Sequence, residues 1–168
     1  VIATPSDQAI FNEEAFRENV LKGLAFVAEN DRFLTMGVKP TRPEPGYGYI
    51  QMGDAFFDNM YQVQSFTEKP ERDFAKIFVE SGEFYWNTGL FVSNVKHLRE
   101  CFCKILPPVL RDYDKLYPEF SIETENAYMK ESFSSYPNIS VDFGILEKPS
   151  NVCVMKCDFG WADLGTWH

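Results

Sequence analysis

The sequence predicts an α/β fold built on a parallel or mixed sheet. Two observations carry this. A helical stretch over 13–29 leads straight into a strand-like stretch over 32–38, and helix followed by strand is half of a crossover unit. Further on, a strand over 60–68, a helix over 71–81 and a buried strand from Tyr85 follow one another. The length of 168 residues suits one domain or a large part of one, so 1–168 is taken as one unit.

The elements read as follows. Val1 to Thr4 is a short apolar strand that stops at Pro5, and its start without Met predicts a stretch excised from inside a longer fold. Asp7 follows in the loop Ser6-Asp7-Gln8, just past a strand end, where open α/β sheets place ligand chemistry; a turn or capping aspartate is the plainer reading. Asn12 caps the helix over 13–29, with Glu13 and Glu14 placed to suit its dipole. Phe16, Val20, Leu24 and Val27 form its apolar stripe. Three prolines within 39–45 exclude regular structure. They lead into Gly46-Tyr47-Gly48-Tyr49-Ile50, read either as a loop laid against a ring-shaped ligand or as an aromatic turn.

The strand over 60–68 ends in Glu68-Lys69-Pro70. There Lys69 would serve as a point charge for phosphate and Glu68 as an acceptor for hydroxyls; a solvated pair before a proline turn is the alternative. In the helix over 71–81, Phe74, Ile77 and Phe78 are expected to face inward and Gly82 to cap. Asn87 and Thr88 sit between aromatics and Gly89, so the amide needs a partner, which a turn or a sugar hydroxyl would supply. A helix from Ser93-Asn94 stops near Pro107-Pro108, and the charged helical segment over 109–133 shows no chemistry. Residues 140–147 read as a short helix with Asp142 in its first turn. Residues 152–157 read as a strand delivering the chain to Phe159-Gly160-Trp161-Ala162-Asp163-Leu164-Gly165, where a carboxylate stands in a glycine-flanked, aromatic-walled turn.

A net charge of −9 argues against binding nucleic acid. No apolar run is long enough to cross a membrane, and no leader is evident. The four cysteines lack paired C-x-x-C spacing, so they read as reduced thiols rather than zinc ligands, which with the lack of an export signal predicts a cytoplasmic protein. No nucleotide-binding glycine fingerprint is present.

Six motifs in order, Pro5-Ser6-Asp7, Lys39-Pro40-Thr41 with Gly46-Tyr47-Gly48-Tyr49-Ile50, Phe66-Thr67-Glu68-Lys69-Pro70, Trp86-Asn87-Thr88-Gly89-Leu90-Phe91, Ser140-Val141-Asp142 and Phe159-Gly160-Trp161-Ala162-Asp163-Leu164-Gly165, resemble those of the sugar nucleotidyltransferases over the whole chain. The resemblance is greatest to their mannose-1-phosphate guanylyltransferase (GDP-mannose pyrophosphorylase) branch. It implies a nucleotide-diphospho-sugar transferase fold of the GT-A kind, a mixed sheet flanked by helices. It implies the reaction of GTP with mannose 1-phosphate to give GDP-mannose and pyrophosphate, with Mg²⁺ held by Asp7 and Asp163 and Lys69 assisting. It further implies that Gly46, Tyr47, Gly48, Tyr49, Glu68, Lys69, Asn87, Thr88, Gly89, Asp142 and Trp161 line the sugar-phosphate pocket.

The chain departs from that family in two respects. Ser6 and Gln8 replace the usual Ala and His around Asp7. The glycine-rich loop with Arg and Lys that holds the nucleotide triphosphate is absent, so the fold is expected to be truncated at its N-terminus and the 168 residues inactive by themselves. Apolar surface left uncovered by such truncation would favour a homo-oligomer. A transferase for another hexose 1-phosphate and nucleotide, and a non-catalytic sugar-phosphate sensor, are the rival readings.

Overall fold

A six-stranded mixed sheet organises the chain, in the order β1-β6-β3-β7-β5-β4, with β6 also pairing to β4. The computed structural model describes residues 1–116, 119–142, 144 and 152–165. The strands are β1 (Ile2–Ala3), β3 (Phe33–Val38), β4 (Gly48–Phe57), β5 (Met60–Glu68), β6 (Phe84–Val92) and β7 (Val152–Cys157); β2 (Gln8–Ile10) and β8 (Trp161–Asp163) form a separate two-stranded ribbon. Strand β3 runs parallel to β7, while β1 and β3 both pair antiparallel with β6. The C-terminal ends of β1, β3 and β7 therefore lie at one edge of the sheet.

Helices cover both faces. On one face α1 (Glu13–Glu29) and α2 (Arg72–Ser81) enclose the larger core, which includes Leu34, Met36, Tyr49, Met60, Val92 and Met155. On the other, Phe33, Phe91, Cys101 and Val152 form a smaller cluster under α3 (Val95–Ile105). Helix α4 (Pro107–Tyr113) and α5 (Ile122–Ser132) follow. Among the described residues no helix is long and apolar enough to cross a membrane.

Local chemistry explains the boundaries. The Asn12 side chain accepts the Ala15 amide and starts α1 where expected. Phe26 and Val27 are the buried side chains of that helix, each contributing about 1.5–3 kcal/mol, and Phe16, Val20 and Leu24 pack beside them. Helix α2 closes on Gly82, whose φ of 72° suits glycine. Proline starts α4 at Pro107, where its missing N–H costs nothing.

Four expectations need correction. Phe74 and Ile77 of α2 point outward, 56% and 57% exposed. The packing stripe is instead Ala75, Phe78 and Val79, because a fully buried alanine lets the helix approach the sheet closely. Gly48-Tyr49-Ile50 is not loop but the start of β4. Asn87 and Thr88 are not turn residues; they lie within β6, where the pairing with β3 shifts register between Thr35 and Gly37. Trp161 to Asp163 is a strand of the ribbon rather than a free turn. Of the short helix expected over 140–147, Gly144 donates to the Ser140 carbonyl at 2.8 Å, and 145–147 lie outside the described residues.

Candidate functional site

The ribbon brings together the two ends of the chain. Gln8 pairs with Asp163, and the Leu164 amide donates to the Asp7 carbonyl at 2.9 Å. Both carboxylates converge on Gly165. A Cβ at that glycine would stand 3.0 Å from Asp163 Oδ1 and 3.3 Å from Asp7 Oδ2. The Gly165 amide also donates to Asp163 Oδ1 at 2.7 Å. Any side chain there would crowd both acids, which would have to give by a few tenths of an ångström. No cluster of three or more metal-type side chains occurs among the described residues. The donor set is therefore two hard carboxylates, which is what a small divalent cation takes when substrate phosphates and water complete its shell.

A second polar group lies on the face of the sheet that carries α3. Strand alternation places Gly48 and Asn87, which are paired, on the face opposite Tyr49 and Trp86. A Cβ on Gly48 would meet Glu68 Oε2 at 2.5 Å and Asn87 Cβ at 3.3 Å. The Glu68 carboxylate thus lies directly over a bare backbone position. Lys69 follows with φ of 47°, a left-handed conformation rare for a long side chain and common at functional sites. That twist breaks the strand alternation and brings Lys69 Nζ within 3.7 Å of Glu68 Oε1 instead of sending it to the other face. The Lys69 amide donates to the Tyr47 carbonyl at 3.2 Å.

Asn87 stands at the centre of this group. Its Oδ1 accepts the Gly89 amide at 3.2 Å and the Thr35 hydroxyl at 2.8 Å, and its Nδ2 donates to Asp142 Oδ1 at 3.2 Å. Burial raises the Asp142 carboxyl above its ordinary range, against the opposing pull of the Asn87 hydrogen bond and the Lys69 charge. Gly89 has φ of 73°, and a Cβ there would meet Pro5 Cγ at 2.9 Å. The Gln8 side chain donates to the Thr88 carbonyl, tying the ribbon to β6.

At the C-terminal ends of β3 and β7 opens a cleft of about 910 Å³. Tyr47, Trp86 and Trp161 wall it, with ring centroids 5.0, 5.1 and 6.3 Å apart. Asp163 lines it together with Lys39, Arg42, Lys156 and Asp158. The crevice beyond the carboxyl ends of parallel strands is the usual ligand position of open α/β sheets.

The structure therefore gathers Asp7 and Asp163, and separately Gly48, Glu68, Lys69, Asn87 and Asp142. It does not place every expected residue at a surface. Tyr49 is fully buried on the core face; its ring packs 5.4 Å from Phe78 and its hydroxyl accepts the Glu44 amide at 2.9 Å. The Thr88 hydroxyl is consumed inside the sheet, donating to the Met36 carbonyl at 2.9 Å. Gly46 contributes backbone only, its amide donating to Glu44 Oε1 at 3.2 Å. Sequence reasoning missed Thr35, Arg42 and Lys156. Thr35 and Lys156 carry a legible signal, a polar residue inside an otherwise apolar strand; Arg42 in its proline-rich loop carries none.

Comparison with known proteins gives the family and the fold. Residues 4–168 match the nucleotidyl transferase family. The chain is 33% identical to a mannose-1-phosphate guanylyltransferase of Sinorhizobium fredii, over 99% of this chain and 33% of that protein. It is 31% identical to the enzyme of the same name from Escherichia coli K12, over 99% of this chain and 36% of that protein. Among solved structures, a Thermus thermophilus protein described as a mannose-1-phosphate geranyltransferase superposes with a TM-score of 0.86 at 31% identity, covering 99% of this chain and 47% of that one. The chain thus spans about a third of the length of the curated relatives it matches. The motif order, the mixed sheet between helices and the family match converge on one conclusion: the chain belongs to the nucleotidyl transferase family.

Proposed function

We propose that these residues form the sugar-phosphate-binding and metal-binding part, 1–168, of a single nucleotidyltransferase domain that makes GDP-mannose and pyrophosphate from GTP and mannose 1-phosphate. The observation that carries this is the pair Asp7 and Asp163, linked through Gln8 to the β6 strand that bears Asn87. A phosphate oxygen of the sugar phosphate attacks the α-phosphorus of the nucleotide. The bond from that phosphorus to the bridging oxygen breaks, and pyrophosphate leaves. Two anions must meet, so positioning and charge neutralisation are the protein's task. Asp7 and Asp163 would hold Mg²⁺, which supplies Lewis-acid neutralisation of the phosphates when bound. Lys69 sets a positive charge beside the sugar phosphate, while Glu68 and Asp142 accept hydrogen bonds from sugar hydroxyls. Lys39, Arg42 and Lys156 place positive charge on the cleft wall next to Asp163. All four cysteines are free thiols, which supports a cytoplasmic setting.

The test is pyrophosphate release by the full-length protein containing these residues, across a panel of hexose 1-phosphates and nucleotides. Mannose 1-phosphate with GTP is expected to react fastest, and Asp163→Asn to lower kcat by roughly 100-fold or more. Preference for glucose 1-phosphate with UTP or dTTP would move the reading to another branch, and ligand binding without turnover would favour a sensor. The 168 residues alone are expected not to turn over, since they contain no glycine-rich phosphate loop.

A further inference from the structure

Thr35 is 1% exposed in the fully buried strand β3, between Leu34 and Met36. A valine would fill that volume without a hydroxyl to desolvate. The hydroxyl must therefore be bonded, and it lies 2.8 Å from Asn87 Oδ1 and 3.1 Å from the Leu90 carbonyl. This is where β3 and β6 lose register, with Thr35 opposite Phe91 and Gly37 opposite Asn87.

The Asn87 amide has one orientation that satisfies both of its ends. A backbone N–H, from Gly89, meets one end at 3.2 Å, and a carboxylate oxygen, of Asp142, meets the other at 3.2 Å. The first can only donate and an ionised second can only accept. Oδ1 must face Gly89 and Thr35, and Nδ2 must face Asp142. The Asp142 carboxylate is bonded to the Asn87 amide from the helical turn in which Gly144 donates to the Ser140 carbonyl.

We infer that Thr35 is a positioning residue of the sugar pocket, acting through the Asn87 amide to hold the Asp142 carboxylate where a sugar hydroxyl meets it. This rests on the nucleotidyltransferase reading above. Thr35 itself touches no substrate, because it is sealed beneath Asn87. Its loss leaves the sheet intact but removes the shorter of the two hydrogen bonds to Asn87 Oδ1, so the amide and the carboxylate bonded to it are held less firmly and the sugar phosphate binds less well.

Kinetics in the full-length enzyme test this. Thr35→Val is expected to raise KM for mannose 1-phosphate about tenfold with kcat changed less than about twofold, and Thr35→Ser, which keeps the hydroxyl, to restore KM. In an Asp142→Ala background, Thr35→Val is expected to add less than about twofold to KM, since the two residues act in one chain. A melting-temperature loss with unchanged KM would show that Thr35 only satisfies the Leu90 carbonyl, and would overturn the inference. A KM rise that is additive with Asp142→Ala would overturn it as well. Turnover that survives Asp163→Asn would instead remove the reaction reading itself, whatever Thr35 does.

Discussion

Asp142 shows how one residue's environment separates stability from function. Its carboxyl is pushed up mainly by burial, so the folded protein holds the proton more tightly than the unfolded chain does. The consequence has a definite sign. Below the unfolded value of about 3.9 both states are protonated; as pH rises through the raised folded value, the folded state must ionise a half-buried acid and stability is lost. Asp142→Asn keeps an oxygen for Asn87 to bond and removes that ionisation. It is expected to raise the melting temperature at pH 7, with the gain fading below about pH 4. A thermal scan of both proteins across that range checks it, and a gain that grows on acidification would contradict it.

At the scale of elements, the ribbon β2–β8 is the piece that matters. It is short, with three residues in each strand, and such a pair has little stability of its own. It is held by backbone bonds from Phe11 to Gly160 and from Asn12 to Phe159, by the buried Phe159 ring against Phe16, and by the Gln8 side chain on β6. Only the last of these ties the candidate metal pair to the strand bearing Asn87. Gln8→Ala is therefore expected to lower kcat about tenfold, with a melting-temperature change much smaller than a core substitution gives. Steady-state kinetics beside a thermal scan separates the two effects. An unchanged kcat would mean that the backbone bonds suffice to fix the ribbon.

Across the whole molecule, the sheet with helices on both faces decides which side chains water can reach. Cys101, Cys153 and Cys157 are buried, and Cys103 is exposed on the outer side of α3. Burial pushes the Cys157 thiol up to about 12, and raises Cys101 and Cys153 as well. The native chain is expected to lose one thiol of its four to an aromatic disulfide reagent at pH 8, and all four in denaturant. Fast modification of more than one would show that a helical layer opens readily.

The extent to which all this was legible in the amino-acid order differs from one feature to the next, for physical reasons. Features set within a few residues were readable: the Asn12 cap, the Gly82 stop, strand β5 over Met60–Glu68 and β7 over Val152–Cys157, because capping, helix termination and alternation are local. The motif order also pointed to the family, since the residues around Asp7, Glu68, Asn87 and Asp163 carry chemistry irrespective of how the chain travels between them. Which face of α2 is buried was not readable, because Ala75 prevails over Phe74 and Ile77 only through the closeness of the sheet. Nor was the burial of Tyr49, which follows from the pairing of Gly48 with both Glu68 and Asn87. The meeting of Asp7 with Asp163, separated by most of the chain, was implied by the family resemblance and by no local pattern, and the chain from Thr35 through Asn87 to Asp142 belongs to tertiary structure alone. Sequence by itself determined the elements and the residue types needed for the chemistry. Strand pairing decided which of them meet, because register is set by the packing of the whole sheet and not by any local preference.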